Sequence, residues 1–124
     1  MDWWDELWLK EGFATFAGYQ AIDHIFPDWK YWSFFLQKEL HLAFTLDANV
    51  SSHPIQVPCS KPSEIGEIFD DISYNKGASI IRMLEGFLSK ETFAAGVSNY
   101  LKKHSFKNAT TLDLWLSLLG ESLC

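Results

Sequence analysis

Glu11 is a carboxylate in a stretch that is otherwise greasy, and Tyr74 is a phenol at the head of an apolar helical stripe. These two side chains have the types and placing to do chemistry. On a helix of 3.6 residues per turn, Trp4, Leu7, Trp8, Glu11, Ala14, Thr15 and Gly18 form one stripe, and Leu9, Phe13 and Phe16 form a second. The acid therefore interrupts a surface that should be buried. A charge left alone in a low-dielectric interior is prohibitively costly, so Glu11 must be ion-paired, hydrogen-bonded as the acid, or bound to a metal. Spacing by itself keeps all three open. Tyr74 shares a face with Gly77, Ala78, Ile81, Leu84 and Leu88. A phenol there is either a core aromatic whose hydroxyl finds a backbone partner or a donor aimed at a reacting oxygen.

The remaining polar candidates read as structural. Asp70 and Asp71 look like a paired acid and base, but they fall where a helix N-cap is wanted, and capping accounts for both. Asp2, Asp5 and Glu6 favour the first turn of their own helix by their charge. His53 sits beside Pro54 in an irregular segment with no second His or Cys at metal spacing, so it reads as a surface or backbone-bonding residue. His24, His41 and His104 are isolated on helix faces or ends. Cys59 has no neighbouring base and is not expected to be a nucleophile.

Five helices and one long loop, all α, must position these groups. The first is expected from Trp3 to Ile25, stopped ahead of Pro27. Asp28 is the expected N-cap of a second, from Trp29 to Leu46, with Trp29, Trp32, Phe35, Leu36, Leu40, Ala43 and Phe44 facing in. Asn, Ser and Pro residues break the pattern between Asp47 and Ser63. After a short helical turn over Ser63 to Phe69, a third helix runs from Ile72 to Leu88. Ser89 should cap a fourth, Lys90 to His104, with Phe93, Val97, Tyr100 and Leu101 inward. Thr111 should cap the fifth, ending at Gly120, with Leu112, Trp115, Leu116 and Leu119 inward.

Two runs carry a family resemblance. Trp3-Trp4-Asp5-Glu6-Leu7-Trp8-Leu9-Lys10-Glu11-Gly12-Phe13-Ala14 resembles the segment that bears the third zinc ligand in the gluzincin aminopeptidases, the family of aminopeptidase N and puromycin-sensitive aminopeptidase. Phe69-Asp70-Asp71-Ile72-Ser73-Tyr74-Asn75-Lys76-Gly77-Ala78-Ser79 is the second match, and Ser51-Ser52-His53-Pro54-Ile55 lies between the two as a third. The resemblance implies that Glu11 is a zinc ligand, that Tyr74 hydrogen-bonds the oxyanion, and that Phe69 lines the pocket for the substrate's first side chain. It also implies peptide substrates, hydrolysed from the N-terminus with zinc polarising the scissile carbonyl and activating water. Both histidine ligands and the general-base glutamate belong to an H-E-x-x-H helix that would precede Met1, and the 124 residues hold no such motif. Residues 1–124 thus resemble the C-terminal helical portion of one catalytic domain, inactive by itself. The rival reading is a non-catalytic helical interaction module or truncated gene product, in which Trp3, Trp4 and Trp8 are exposed and drive association.

Composition narrows the partners. A chain that is 48% hydrophobic and 16% aromatic is no disordered tail, and its aromatic load is more than a small isolated domain usually hides. Net charge is −6 and the basic residues are scattered, so no footprint for nucleic acid or anionic lipid is present. Neither a membrane span nor a signal peptide is apparent. Two cysteines are too few for a disulfide framework, and the run Ser51 to Pro58 is similar to the puromycin-sensitive type; together these imply a cytoplasmic address.

Overall fold

Helices make up nearly all of the regular structure in the computed structural model, which describes residues 3–122 and contains no strand among them. Asp2 and Cys124 lie outside the described residues. The chain enters through a single 3-10 turn, Trp4–Glu6, and continues as α1, Leu7–Ile25. As expected, α1 stops ahead of Pro27, with Phe26 turned out of helical angles at φ −126° and ψ 65°.

Between α1 and the next helix the structure departs from the expected cap. Pro27–Trp29 forms a 3-10 turn, Lys30 takes a left-handed conformation at φ 48°, and α2 begins only at Tyr31. Its first amide is received at 3.1 Å by Asp23 Oδ1, from the end of α1, and Asp28 is part of the turn instead. The α2 segment Tyr31–Phe34 passes through a π turn, Phe35–Glu39, into α3, Leu40–Asp47. That extra residue per turn rotates the inner face. Phe35 and Ala43 are buried, whereas Leu36 and Phe44, expected inside, are exposed; Trp29, also expected inside, is exposed in the preceding 3-10 turn.

The connection after α3 is tied at several points. Ser52 donates to Asp47 at 2.8 Å, and the Trp3 indole donates to the Cys59 carbonyl at 2.8 Å, pinning the loop to the chain entry. Two short helical pieces follow, α4 (Pro62–Ile65) and a 3-10 turn, Gly66–Ile68. Glu64 caps α4 by accepting the Ser60 and Lys61 amides, each at 3.1 Å.

A second π turn, Ile72–Lys76, leads into α5, Gly77–Leu88. Then comes α6, Lys90–Lys103, capped as expected by Ser89, whose hydroxyl accepts the Thr92 amide at 3.3 Å. The last helix, α7, is Thr111–Ser122. Its cap is Thr110, reciprocally bonded to Asp113, and not Thr111. The Thr111 amide is taken instead by the buried Glu6 at 2.7 Å, a contact spanning 105 positions of sequence. Glu6 thus serves the first turn of α7 rather than its own.

One core unites Trp8, Leu9 and Phe16 of α1 with Phe35, Ala78, Ile81, Phe93, Leu114 and Leu118. Trp8 is buried and is not available for association, while Trp3 is exposed. In α7 the buried pair is Leu114 and Leu118; Leu112, Leu116 and Leu119 face out, as does Leu101 on α6. Gly96 sets this register, since a Cβ there would meet Leu118 Cδ2 at 2.7 Å, so α6 and α7 touch where a side chain is missing. No described helix is long and apolar enough to cross a membrane.

Candidate functional site

The site begins with two glycines. Gly12 on α1 and Gly77 at the head of α5 face each other so closely that a Cβ at Gly12 would lie 2.8 Å from the Gly77 carbonyl carbon. Backbones approach this near only where both partners lack a side chain. The residue before Gly12 is Glu11, and Tyr74 lies three before Gly77, so the crossing brings the carboxylate and the phenol together.

Glu11 is largely buried, its side chain 14% exposed, and Lys10 Nζ pairs with its Oε1 at 2.7 Å. The ion pair, one of the three possibilities left open by spacing, is present. Lys10 itself is half exposed, so the pair sits at the edge of the core and not inside it. Burial pushes the Tyr74 phenol above its ordinary value, and the charge of Glu11 together with a hydrogen bond to that carboxylate push in the same direction. Tyr74 therefore keeps its proton well past neutral pH and is a donor. Phe69 is partly exposed, tilted against Trp4 at 6.1 Å between centroids, with Lys10 Nζ 6.0 Å from its ring centre. Phe69, Lys10, Glu11 and Tyr74 thus form one chain of neighbours.

The backbone around Tyr74 is held from every side. Tyr74 donates its amide to the Asp70 carbonyl at 3.1 Å. Asp70 Oδ1 accepts the amides of Ile72 at 3.0 Å and Ser73 at 3.1 Å, so Asp70 is the expected cap. Ser73 Oγ donates to the Ile68 carbonyl at 2.6 Å. The buried Asn75 amide spans Asp71 Oδ1 at 2.8 Å and Glu39 Oε2 at 3.3 Å, joining the two π turns. Lys76 Nζ pairs with Asp47 at 2.7 Å. π turns are frequent at functional sites.

The other candidates are where structural roles would put them. His53 contacts the Pro54 carbonyl through Nδ1 and Asp70 Oδ2 through Nε2. His24 and His41 are exposed. The His104 ring is tilted against Tyr100 at 5.3 Å between centroids and lies 3.9 Å from Asp113. Cys59 is buried, and burial, aided by Glu64 and Asp5, raises its thiol and keeps it protonated. Among the described residues no group of three or more His, Cys, Asp or Glu side chains could hold a metal. Glu11 is a single donor. Sequence reading passed over Lys10, the partner of Glu11, and the Gly12 and Gly77 contact; a glycine inside an apolar helix, one residue after the odd carboxylate, was the available signal.

Comparison of the sequence with known proteins matches the chain to a family. The model of the Peptidase family M1 domain matches residues 1–122. Aminopeptidase 2 of Candida albicans is 50% identical over 122 residues, covering 98% of this chain and 13% of that protein. Leucyl aminopeptidase of Saccharolobus solfataricus is 47% identical over 118 residues, or 95% of this chain and 15% of the relative. Aminopeptidase M1 of Arabidopsis thaliana is 49% identical over 122 residues, 98% of this chain and 14% of the relative. The chain spans only about a seventh of the length of the relatives it matches.

Proposed function

The chain belongs to the M1 peptidase family, and from that premise we propose that it is the helical portion of a zinc aminopeptidase catalytic domain, which releases single residues from the N-terminus of peptides. Glu11 is one zinc ligand in this reading, Tyr74 the oxyanion donor, and Phe69 an aromatic wall for the first side chain of the substrate. The observation that carries it is the contact between Glu11 and Tyr74, a carboxylate and a phenol held side by side by a glycine crossing. Cleaving a peptide bond builds negative charge on the carbonyl oxygen, and a fixed O–H that keeps its proton at neutral pH stabilises that charge without reorganising.

The donor set sets a limit on the chain alone. A catalytic zinc is held by three protein ligands, and one carboxylate among these residues does not fit that requirement. The isolated chain therefore neither retains zinc usefully nor hydrolyses peptides. Its cytoplasmic address belongs to the same proposal, and an antibody against residues 90–103 tests both: a cytosolic band far larger than 14.3 kDa is expected.

The decisive experiment exchanges the matching segment of the Arabidopsis thaliana relative for this chain and assays release of an N-terminal residue from a chromogenic aminoacyl amide. An active chimaera is expected, with kcat falling about a hundredfold to a thousandfold on Tyr74→Phe. Glu11→Gln should empty the chimaera of zinc by elemental analysis. Unchanged turnover in Tyr74→Phe would remove Tyr74 from the chemistry, and a folded chimaera that neither binds zinc nor turns over favours a non-catalytic helical module.

A further inference from the structure

His53 stands between two acceptors. Its Nδ1 lies 2.7 Å from the carbonyl oxygen of Pro54 and its Nε2 lies 2.8 Å from Asp70 Oδ2. A carbonyl oxygen only accepts, and Asp70 already acts as an acceptor at Oδ1, towards the amides of Ile72 and Ser73. With Asp70 ionised, both ring nitrogens therefore donate. A neutral imidazole carries one N–H and would turn a lone pair towards one of these oxygens, so the geometry is that of the imidazolium.

Asp70 is where this matters. Its Oδ2 receives His53, its Oδ1 receives the first amides of the π turn, and its carbonyl receives the Tyr74 amide at 3.1 Å. One residue links the irregular segment after α3 to the turn that bears the phenol. Carboxylates surround the ring: Asp70 is in contact with His53, and Glu64 and Glu67 line the same cavity. Asp47 is within electrostatic reach of the ring, although it is chiefly hydrogen-bonded by Lys76 and Ser52, and Lys76 is the one nearby cation among these groups.

We propose that His53, as the imidazolium, is a positioning residue for Tyr74: it latches the loop through Asp70 onto the π turn, and deprotonation of the ring releases that latch. The role in catalysis rests on the reading of Tyr74 as the oxyanion donor; the latch itself does not. Releasing it costs one of the two ring hydrogen bonds, and the carboxylate that caps Ile72 and Ser73 loses its charged partner.

The test is made on the 124-residue chain labelled with nitrogen-15. Ring nitrogen shifts report whether His53 carries one proton or two, and exchange rates of the Ile72, Ser73 and Tyr74 amides report the turn, both followed from about pH 5 to 8, where histidine titrates. Two protonated ring nitrogens are expected at the acid end. Amide protection, corrected for intrinsic exchange, should fall about tenfold or more with the same midpoint as the ring shifts. In His53→Gln the protection should be lower and flat with pH. A ring carrying a single proton across the range, or protection that ignores the ring's midpoint, overturns the latch even if the variant fails to fold, because both are read on the unaltered chain. That outcome would leave Tyr74 as oxyanion donor untouched. Conversely, full turnover of the Tyr74→Phe chimaera would remove the catalytic role and leave the latch standing.

Discussion

Gly12 and Gly77 meet backbone against backbone: a Cβ added at Gly12 would collide with Gly77 C at 2.8 Å, and one at Gly77 would press tightly on the Trp8 carbonyl oxygen at 3.2 Å. This contact fixes the distance between α1 and the start of α5, and hence between Glu11 and Tyr74. Gly12→Ala should cost about 1–3 kcal/mol, since the obstruction is backbone and cannot step aside. Gly18 lies on the same helix with nothing within 4 Å, so Gly18→Ala should stabilise by about 0.5–1 kcal/mol through helix propensity. Urea unfolding of the two variants checks the pair; a Gly12→Ala chain as stable as the parent would mean that the helices part without cost.

The register of α7 separates two expectations by mutation. Leu114 is fully buried and Leu116 is 55% exposed. Leu114→Ala should cost about 2–5 kcal/mol, whereas Leu116→Ala should stay within about 0.5 kcal/mol. Equal losses in thermal melts would restore the face read from periodicity.

Alkaline stability should track Tyr19. Burial, followed by the Glu39 carboxylate and the Tyr31 ring hydroxyl, pushes this phenol from 10.0 up to about 12. The folded value lies above the unfolded one, so folding favours the protonated phenol. Its contribution is complete below pH 10 and is lost as pH climbs to about 12. Tyr19→Phe should flatten the fall in denaturation midpoint across that window, read by circular dichroism; an unchanged slope would assign the loss to other groups.

Zinc should not rescue the isolated chain. With Glu11 as a lone donor already paired to Lys10, titration calorimetry at micromolar protein should show no saturable zinc binding, and peptidase assays with added zinc should stay at background. Stoichiometric binding with activity would falsify the view that the remaining ligands are required.

Local chemistry was legible in the sequence. Pro27 ends α1, Ser89 caps α6, Asp70 caps the Tyr74 turn, and the odd carboxylate at Glu11 and the phenol at Tyr74 stand out by residue type and period, all within a few positions of chain. Tertiary structure decided what depends on distant partners. Asp23, not Asp28, receives the first amide of α2, and Glu6 crosses 105 positions to receive that of Thr111. Leucine-rich α7 offers more than one apolar face, and only the notch at Gly96 chooses Leu114 and Leu118 for burial. The π turn at Phe35–Glu39 shifts every later residue of its helix by one, which no 3.6-residue period registers. Propensity and capping act through neighbours in sequence and can be read from it, whereas the choice among equivalent faces and the pairing of buried charges depend on contact energies between segments that meet only once the chain has folded.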